Sequence, residues 1–200
     1  MKQSVRDKIV KRIYAKHRGW VFTPNRFLDL GSRRSVDEAL SLLEKSGTIR
    51  HLARGLYDYP ASHPKLGTLS AQPDAIAKAL SESESTRLQP SGAYAINLLG
   101  LSQQVPAKYV YLTDGASKQV QIGNLDIQLK QTTPKNMKTA GHTSGLVIQA
   151  FRYLKQEGVS SKEIAQLKRT LSREDKLKLW KDRIYAPAWM HEHFKEIAEA

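Results

Sequence analysis

The chain contains no cysteine. That absence removes disulfides, thiolate zinc sites and cysteine nucleophiles together, and it fits a cytoplasmic protein. Long hydrophobic runs are missing too: nothing approaches the roughly 18 consecutive apolar residues that mark a membrane-spanning helix. The N-terminal stretch MKQSVRDKIV is charged and then amphipathic, without the apolar core of a signal peptide. There is no internal repeat or low-complexity segment, no glycine-rich phosphate loop and no Gly-x-Ser-x-Gly elbow. A soluble chain with no membrane partner is expected.

Acidic residues are also in short supply. Against 32 Lys and Arg stand 19 Asp and Glu, a formal net charge of +13. A polyanion is the default partner for such a surface, although charge alone also suits a generically basic soluble protein. Distribution sharpens the choice. Residues 1–64 carry 13 basic and 6 acidic groups, net +7, whereas 65–142 and 143–200 are each net +3. With 200 residues there is chain enough for one large domain or two small ones.

In the N-terminal part, Val5, Ile9, Val10, Ile13 and Tyr14 recur at helical spacing after Ser4, with Arg6, Lys8, Lys11 and Arg12 on the outer face. A short apolar run, Trp20-Val21-Phe22, comes next. Thr23-Pro24 then reads as N-cap and first position of a short helix ending near Leu30 and Gly31. Ser35-Val36-Asp37-Glu38 fits a capping box for a third helix, whose apolar face is Val36, Ala39, Leu40, Leu42 and Leu43 and which Gly47 closes. Residues 48–52 and 55–59 read as two strands around an Ala53-Arg54-Gly55 turn, stopped by Pro60.

Three helices followed by a hairpin predict a winged helix-turn-helix domain over residues 1–64. Its third helix is expected to enter the major groove of double-stranded DNA N-terminal end first. Arg33, Arg34 and Ser35 stand at that end, Arg54 at the wing tip, and Arg50 and His51 beside it. An arginine there either donates two hydrogen bonds to guanine or clamps a phosphate. The same fold used only for protein contacts would leave these arginines as solvated surface.

The segment GWVFTPNRFLDLGSRRSVDEALSLLEKSGTIRHLARGLYDYP resembles the N-terminal domain of AbiE-type antitoxins, through Gly47, Ile49, Leu52, Arg54, Gly55, Leu56, Tyr57 and Pro60 in order. His51 departs from that pattern, which has a second basic residue before the leucine. The phrase QPSGAYAINLLGLSQQVPAKYVYLTDG, residues 89–115, is similar to a stretch of the family's C-terminal α/β domain. The resemblance implies a bacterial type IV toxin–antitoxin system involved in phage defence. It implies an antitoxin that represses transcription from its own promoter and counters a nucleotidyltransferase-like toxin.

Past a linker at His63–Gly67, residues 70–200 read as a second domain. A helix begins at Pro73-Asp74 and runs through AIAKALSES. A short strand at Thr86–Gln89, a helix AYAINLLGL and a strand at Lys108–Thr113 follow. A hairpin, Val120–Ile122 with Leu125–Gln131, turns at Gly123-Asn124. Helices at Gly145–Lys155 and after Ser160/Ser161 lead to a helical tail from Ser172, broken at Ala186-Pro187. The overall class is α/β, mixed α+β: a winged helix-turn-helix, then a C-terminal α/β domain with a helical tail.

The rival function is a nuclease. Asp114, then Gln128-Leu129-Lys130 on a hairpin strand whose Asp126 shares a face with Gln128 and Lys130, imitates a degenerate Mg²⁺ site, in which carboxylates hold the ion and a lysine steadies the attacking water. The second carboxylate of that pattern is missing. His191 and His193 are two residues apart, which on a helix does not put both rings on one metal. The remaining histidines, His17, His51, His63 and His142, form no cluster in sequence. No catalytic residue, metal or cofactor is expected. Basic residues of the tail alternate with acids as on a solvated helix face, and Trp180, Trp189, Met190 and Phe194 suit core packing. A transcription factor with a partner-binding C-terminal domain is the remaining alternative.

Overall fold

Local signals along the first ninety or so residues set short elements that only close a core by pairing across the chain. The computed structural model describes residues 4–81 and 86–199. It is a mixed α/β architecture with helices and several sheets. The chain divides into two compact units, Met1–Glu84 with Val120–Asn124, and Ser85–Gln119 with Leu125–Ala200.

In the first unit, helix α1 (Val5–Tyr14) starts at Ser4, whose hydroxyl accepts from the Asp7 N–H while the Asp7 carboxylate accepts from the Ser4 N–H. This reciprocal bonding satisfies two otherwise orphaned donors. Strand β1 (Trp20–Phe22), a 3₁₀ turn (Pro24–Phe27) and helix α2 (Arg33–Lys45) follow. Strands β2 (Arg50–Ala53) and β3 (Leu56–Tyr59) form the hairpin, turning at Gly55 with φ +70°. The sheet order is β1-β3-β2, all antiparallel, with Phe22 opposite Tyr57 and Arg50 opposite Asp58. Ile9, Ile13, Phe22, Phe27, Leu40 and Leu43 make the core.

Three local readings change. The helix expected from Pro24 to Leu30 is a 3₁₀ turn, because Pro24 and Phe27 are the buried residues and that three-residue spacing eclipses on a 3₁₀ helix. Helix α2 begins at Arg33, two residues before the expected cap. Ser32 is its N-cap, accepting from the Ser35 N–H at 3.3 Å, and the carboxylate of Glu38 accepts from Arg34 instead of closing a box. The apolar run Trp20–Phe22 is a third strand. Its register with β3 was invisible locally.

The expected linker at His63–Gly67 is a small hairpin of β4 (Ser62–His63) and β5 (Gly67–Thr68). Helix α3 (Pro73–Ser81) follows and falls in the first unit, although the sequence reading began a second domain at Ser70. The expected end of this helix, at Glu82 and Ser83, lies outside the described residues.

Strands β6 (Leu88–Ser91), β7 (Lys108–Thr113) and β9 (Leu125–Gln131) belong to the second unit, whereas β8 (Lys118–Ile122) is divided at Gln119; the strand order is β6-β7-β9-β8. β6 and β7 are antiparallel; β7 and β9 are parallel, with Tyr109 opposite Ile127 and Tyr111 opposite Leu129. Helix α4 (Gly92–Leu98) leaves β6 directly and sets the Tyr94 ring 5.0 and 5.6 Å from those of Tyr109 and Tyr111. Helices α5 (Thr143–Leu154), α6 (Ser161–Thr170), α7 (Arg173–Asp182) and α8 (His191–Ala198) complete it. Their core includes Phe151, Leu167, Leu179, Met190 and Phe194, with Trp180 and Trp189 packed against it. The expected break in the tail appears as 3₁₀ turns on either side of Pro187. Among the described residues no helix is long and apolar enough to cross a membrane.

Two substitutions test these contacts. Asp58 is 1% exposed and takes Arg50 Nη2 at 2.6 Å and Nε at 3.1 Å. Asp58→Ala leaves Arg50 without its carboxylate, and because Arg50 is partly solvated and keeps its bond to the Leu69 carbonyl the cost is expected near 2–3 kcal/mol, below the fully buried range. A methyl group on Gly145 would meet the Thr139 carbonyl oxygen, and Gln89 Oε1 at 2.5 Å. Backbone cannot yield cheaply, so Gly145→Ala is expected to cost about 3 kcal/mol. Urea titration against wild type measures both.

Candidate nucleic-acid interface

The candidate interface starts from the α2 N-terminus. The first N–H groups of a helix and its macrodipole make that end positive, which favours anions. This chain puts Arg33 and Arg34 at the first two helical positions and no acid in the first turn. Two cations there are locally unfavourable, by a few tenths of a kcal/mol each. Compensation comes one turn on. Arg33 Nε donates to both Asp37 oxygens at 3.0 and 2.9 Å, and Arg34 Nε donates to Glu38 at 2.9 Å. Exposed pairs of this spacing contribute about 0.3–0.5 kcal/mol, little enough for an arriving phosphate to displace.

The two arginines differ in how they are held. Arg33 also donates through Nη1 to Asn25 Oδ1 at 3.2 Å, so the 3₁₀ turn steadies it. The Arg34 side chain is 90% exposed, with Glu38 its partner. Ser35 turns inward: its hydroxyl donates to the Ser32 carbonyl at 2.9 Å. Arg54 is exposed at the hairpin turn and makes no hydrogen bond or ion pair among the described residues. His51 is exposed, its ring 5.0 Å from that of Tyr57.

Arg50 behaves otherwise. Its guanidinium is bidentate on the buried Asp58 and also donates to the Leu69 carbonyl at 3.0 Å. It ties β2 to β3 and to the chain after β5, which leaves Arg34 and Arg54 as the most accessible cations of the expected set. Tyr57 links the hairpin to α2. Burial raises its phenol above the ordinary value, the Glu44 and Asp37 carboxylates add to this, and Arg33 opposes it.

Sequence reasoning missed the supports. Arg12 Nη1 donates to the Arg26 carbonyl at 2.6 Å, and its guanidinium grips Asp29 at 2.7 Å through two bonds, clamping the 3₁₀ turn onto α1. That bond holds the Asp29 carboxyl below the usual range. Neither Arg12–Asp29 nor Asn25–Arg33 has a periodic spacing that would announce it.

The nuclease-like residues are not assembled as a metal site. Lys108 lies opposite Asp126 at the start of β7 and Thr113 opposite Gln131 at its end, so Asp114 and Asp126 belong to opposite ends of the strands. At ~3.3 Å per residue this separates their backbones by well over 15 Å. Asp114 accepts the Arg87 N–H at 2.9 Å and Nε at 2.8 Å, and these bonds lower its pKa. Asp126 accepts from Gln119 at 3.0 Å and from Gln128 at 3.2 Å. Among the described residues no three His, Asp or Glu side chains are grouped to hold a metal. His193 sits edge-on to Phe151 and Trp189, a packing role. In the tail, half-buried Lys168 on α6 pairs with Glu196 on α8 at 2.9 Å.

The Asp114–Arg87 bond makes a pH prediction. A carboxyl lowered in the folded state stabilises above its unfolded pKa, about 3.9, and that contribution is lost as pH falls through the folded value. Asp114→Asn is expected to lower Tm at neutral pH and to flatten its fall below about pH 4. Calorimetry in which the variant melts as wild type throughout would deny the pair any role.

The solved structure of the RV2827C protein from Mycobacterium tuberculosis is similar to this chain at 13% identity and a TM-score of 0.48, covering 100% of this chain and 78% of that one. No curated protein matches in sequence. The model of a family of unknown function, DUF6088, matches residues 8–179. The chain belongs to the DUF6088 family.

Proposed function

We propose that the protein is a cytoplasmic DNA-binding regulator whose first unit is a winged helix-turn-helix. The order helix, strand, helical turn, helix, hairpin supports this reading, as does the pairing of β1 with the last strand, β3. On this reading α2 lies in the major groove and the hairpin is the wing. The observation that carries it is the pair of arginines at the positive end of α2, held only by exposed i,i+4 partners. An anion there relieves the clash with the helix dipole and gains the backbone N–H groups as well. Arg54 adds a cation at the wing tip, and the net +7 of residues 1–64 supplies the long-range attraction.

Resemblance to AbiE-type antitoxins supports the finer form of this proposal. The protein represses its own promoter, and its second unit counters a nucleotidyltransferase-like toxin. Catalysis is no part of the reading.

The test is binding to duplex DNA from upstream of its own gene against scrambled DNA of equal length, at two salt concentrations. Wild type is expected to prefer its own DNA and to weaken with salt. Arg34→Ala/Arg54→Ala is expected to lose at least about tenfold in affinity and to reduce the salt slope by about 2, one per phosphate contact. Equal, weak binding to both duplexes would sink autorepression. The antitoxin part stands or falls separately, on rescue of growth when the protein is co-expressed with a toxin encoded beside it.

A further inference from the structure

The first unit also holds a cleft of about 340 Å³, formed by α1, the strand β1, the 3₁₀ turn and α3. Among the described residues its wall carries four cations, Arg12, Lys16, Arg26 and Lys78, and no carboxylate. Trp20, Val21 and two alanines of α3 supply an apolar floor. None of the residues named above for duplex DNA lines it. Arg12 is balanced by Asp29, and Arg26 is engaged by a partner of its own, so the cations open to a ligand are the two lysines. The ammonium groups of Lys16 and Lys78 have no carboxylate partner among the described residues, and Lys16 Nζ stands 5.8 Å from the centre of the Trp20 ring.

Setting the two lysines on one concavity costs electrostatic energy, which an anion bound between them reverses. The partly apolar floor selects among anions. Trp20 is half-buried, braced by Phe22 at 4.6 Å and Phe27 at 6.0 Å, and so forms a rigid aromatic surface beside the cations. A ligand matching both features carries a phosphate and a flat or apolar body. The volume lies at the low end of small-molecule sites, ~300–1,000 Å³, which suits one mononucleotide. We propose that this cleft binds a small phosphorylated ligand of nucleotide type, independently of the DNA-binding surface.

The experiment is isothermal titration of the full chain with AMP, GMP, CMP and UMP, with inorganic phosphate and adenosine as partial ligands, and with a short DNA duplex. At least one nucleotide is expected to bind more tightly than inorganic phosphate and than adenosine. Lys16→Ala/Lys78→Ala, two exposed positions, is expected to weaken it by about tenfold or more, through the loss of both ammonium groups. Trp20→Leu is expected to reduce nucleotide affinity while leaving that of phosphate unchanged. Arg34→Ala/Arg54→Ala is expected to leave nucleotide binding intact, which separates this site from the duplex surface. The proposal is overturned if no nucleotide binds, if phosphate alone binds as tightly, if the lysine variant binds as wild type with an unchanged circular dichroism spectrum, or if only duplex DNA competes for the cleft.

Discussion

The first unit depends on one buried ion pair. Asp58 lies on β3, the middle strand of its sheet, almost wholly out of water, and it is tolerable there because Arg50 meets it with two hydrogen bonds. The same guanidinium reaches the Leu69 carbonyl, so a single residue joins both strands of the hairpin and the chain that leads to α3. The arginine that satisfies the carboxylate, though still partly solvated, thereby has its donors committed to the fold. In a chain this basic, which cations are committed inside matters as much as how many there are.

Two groups of the other cations have different chemistry. At the start of α2 they are opposed by the helix dipole and eased by exposed acids one turn away, a balance that an extended polyanion can tip. Around the cleft beside α3 they share a concave wall with an indole floor, which suits a compact ligand. The Arg12 clamp serves both. It fixes the 3₁₀ turn, from which Asn25 holds Arg33 on one side while Arg26 lines the cleft on the other.

In the second unit, strand register decides what the polar residues do. The parallel pairing of β7 with β9 sends Asp114 and Asp126 to opposite ends, where each is satisfied by its own neighbours, Arg87 in one case and Gln119 with Gln128 in the other. Close packing imposes a second condition. Gly145 lets α5 approach the Thr139 carbonyl and Gln89 more nearly than any side chain would permit.

Much of this was legible in the residues alone. The apolar spacing of α1 and α2, the hairpin around Gly55, the turn at Gly123 and the helical tail broken at Pro187 all follow from signals within a few residues of each other, since helix and hairpin chemistry is local. So were the positions of Arg33, Arg34 and Arg54, at a helix start and a turn tip. Tertiary structure decided the rest. Ser32 rather than Ser35 caps α2, the segment after Pro24 tightens to 3₁₀, Trp20–Phe22 pairs with β3, α3 joins the first unit, and Arg50 turns inward to Asp58. Each of these depends on a partner distant in sequence or on which competing hydrogen bond the packed core leaves available. Residue spacing encodes what a segment prefers alone; burial and long-range pairing determine which of those preferences is met.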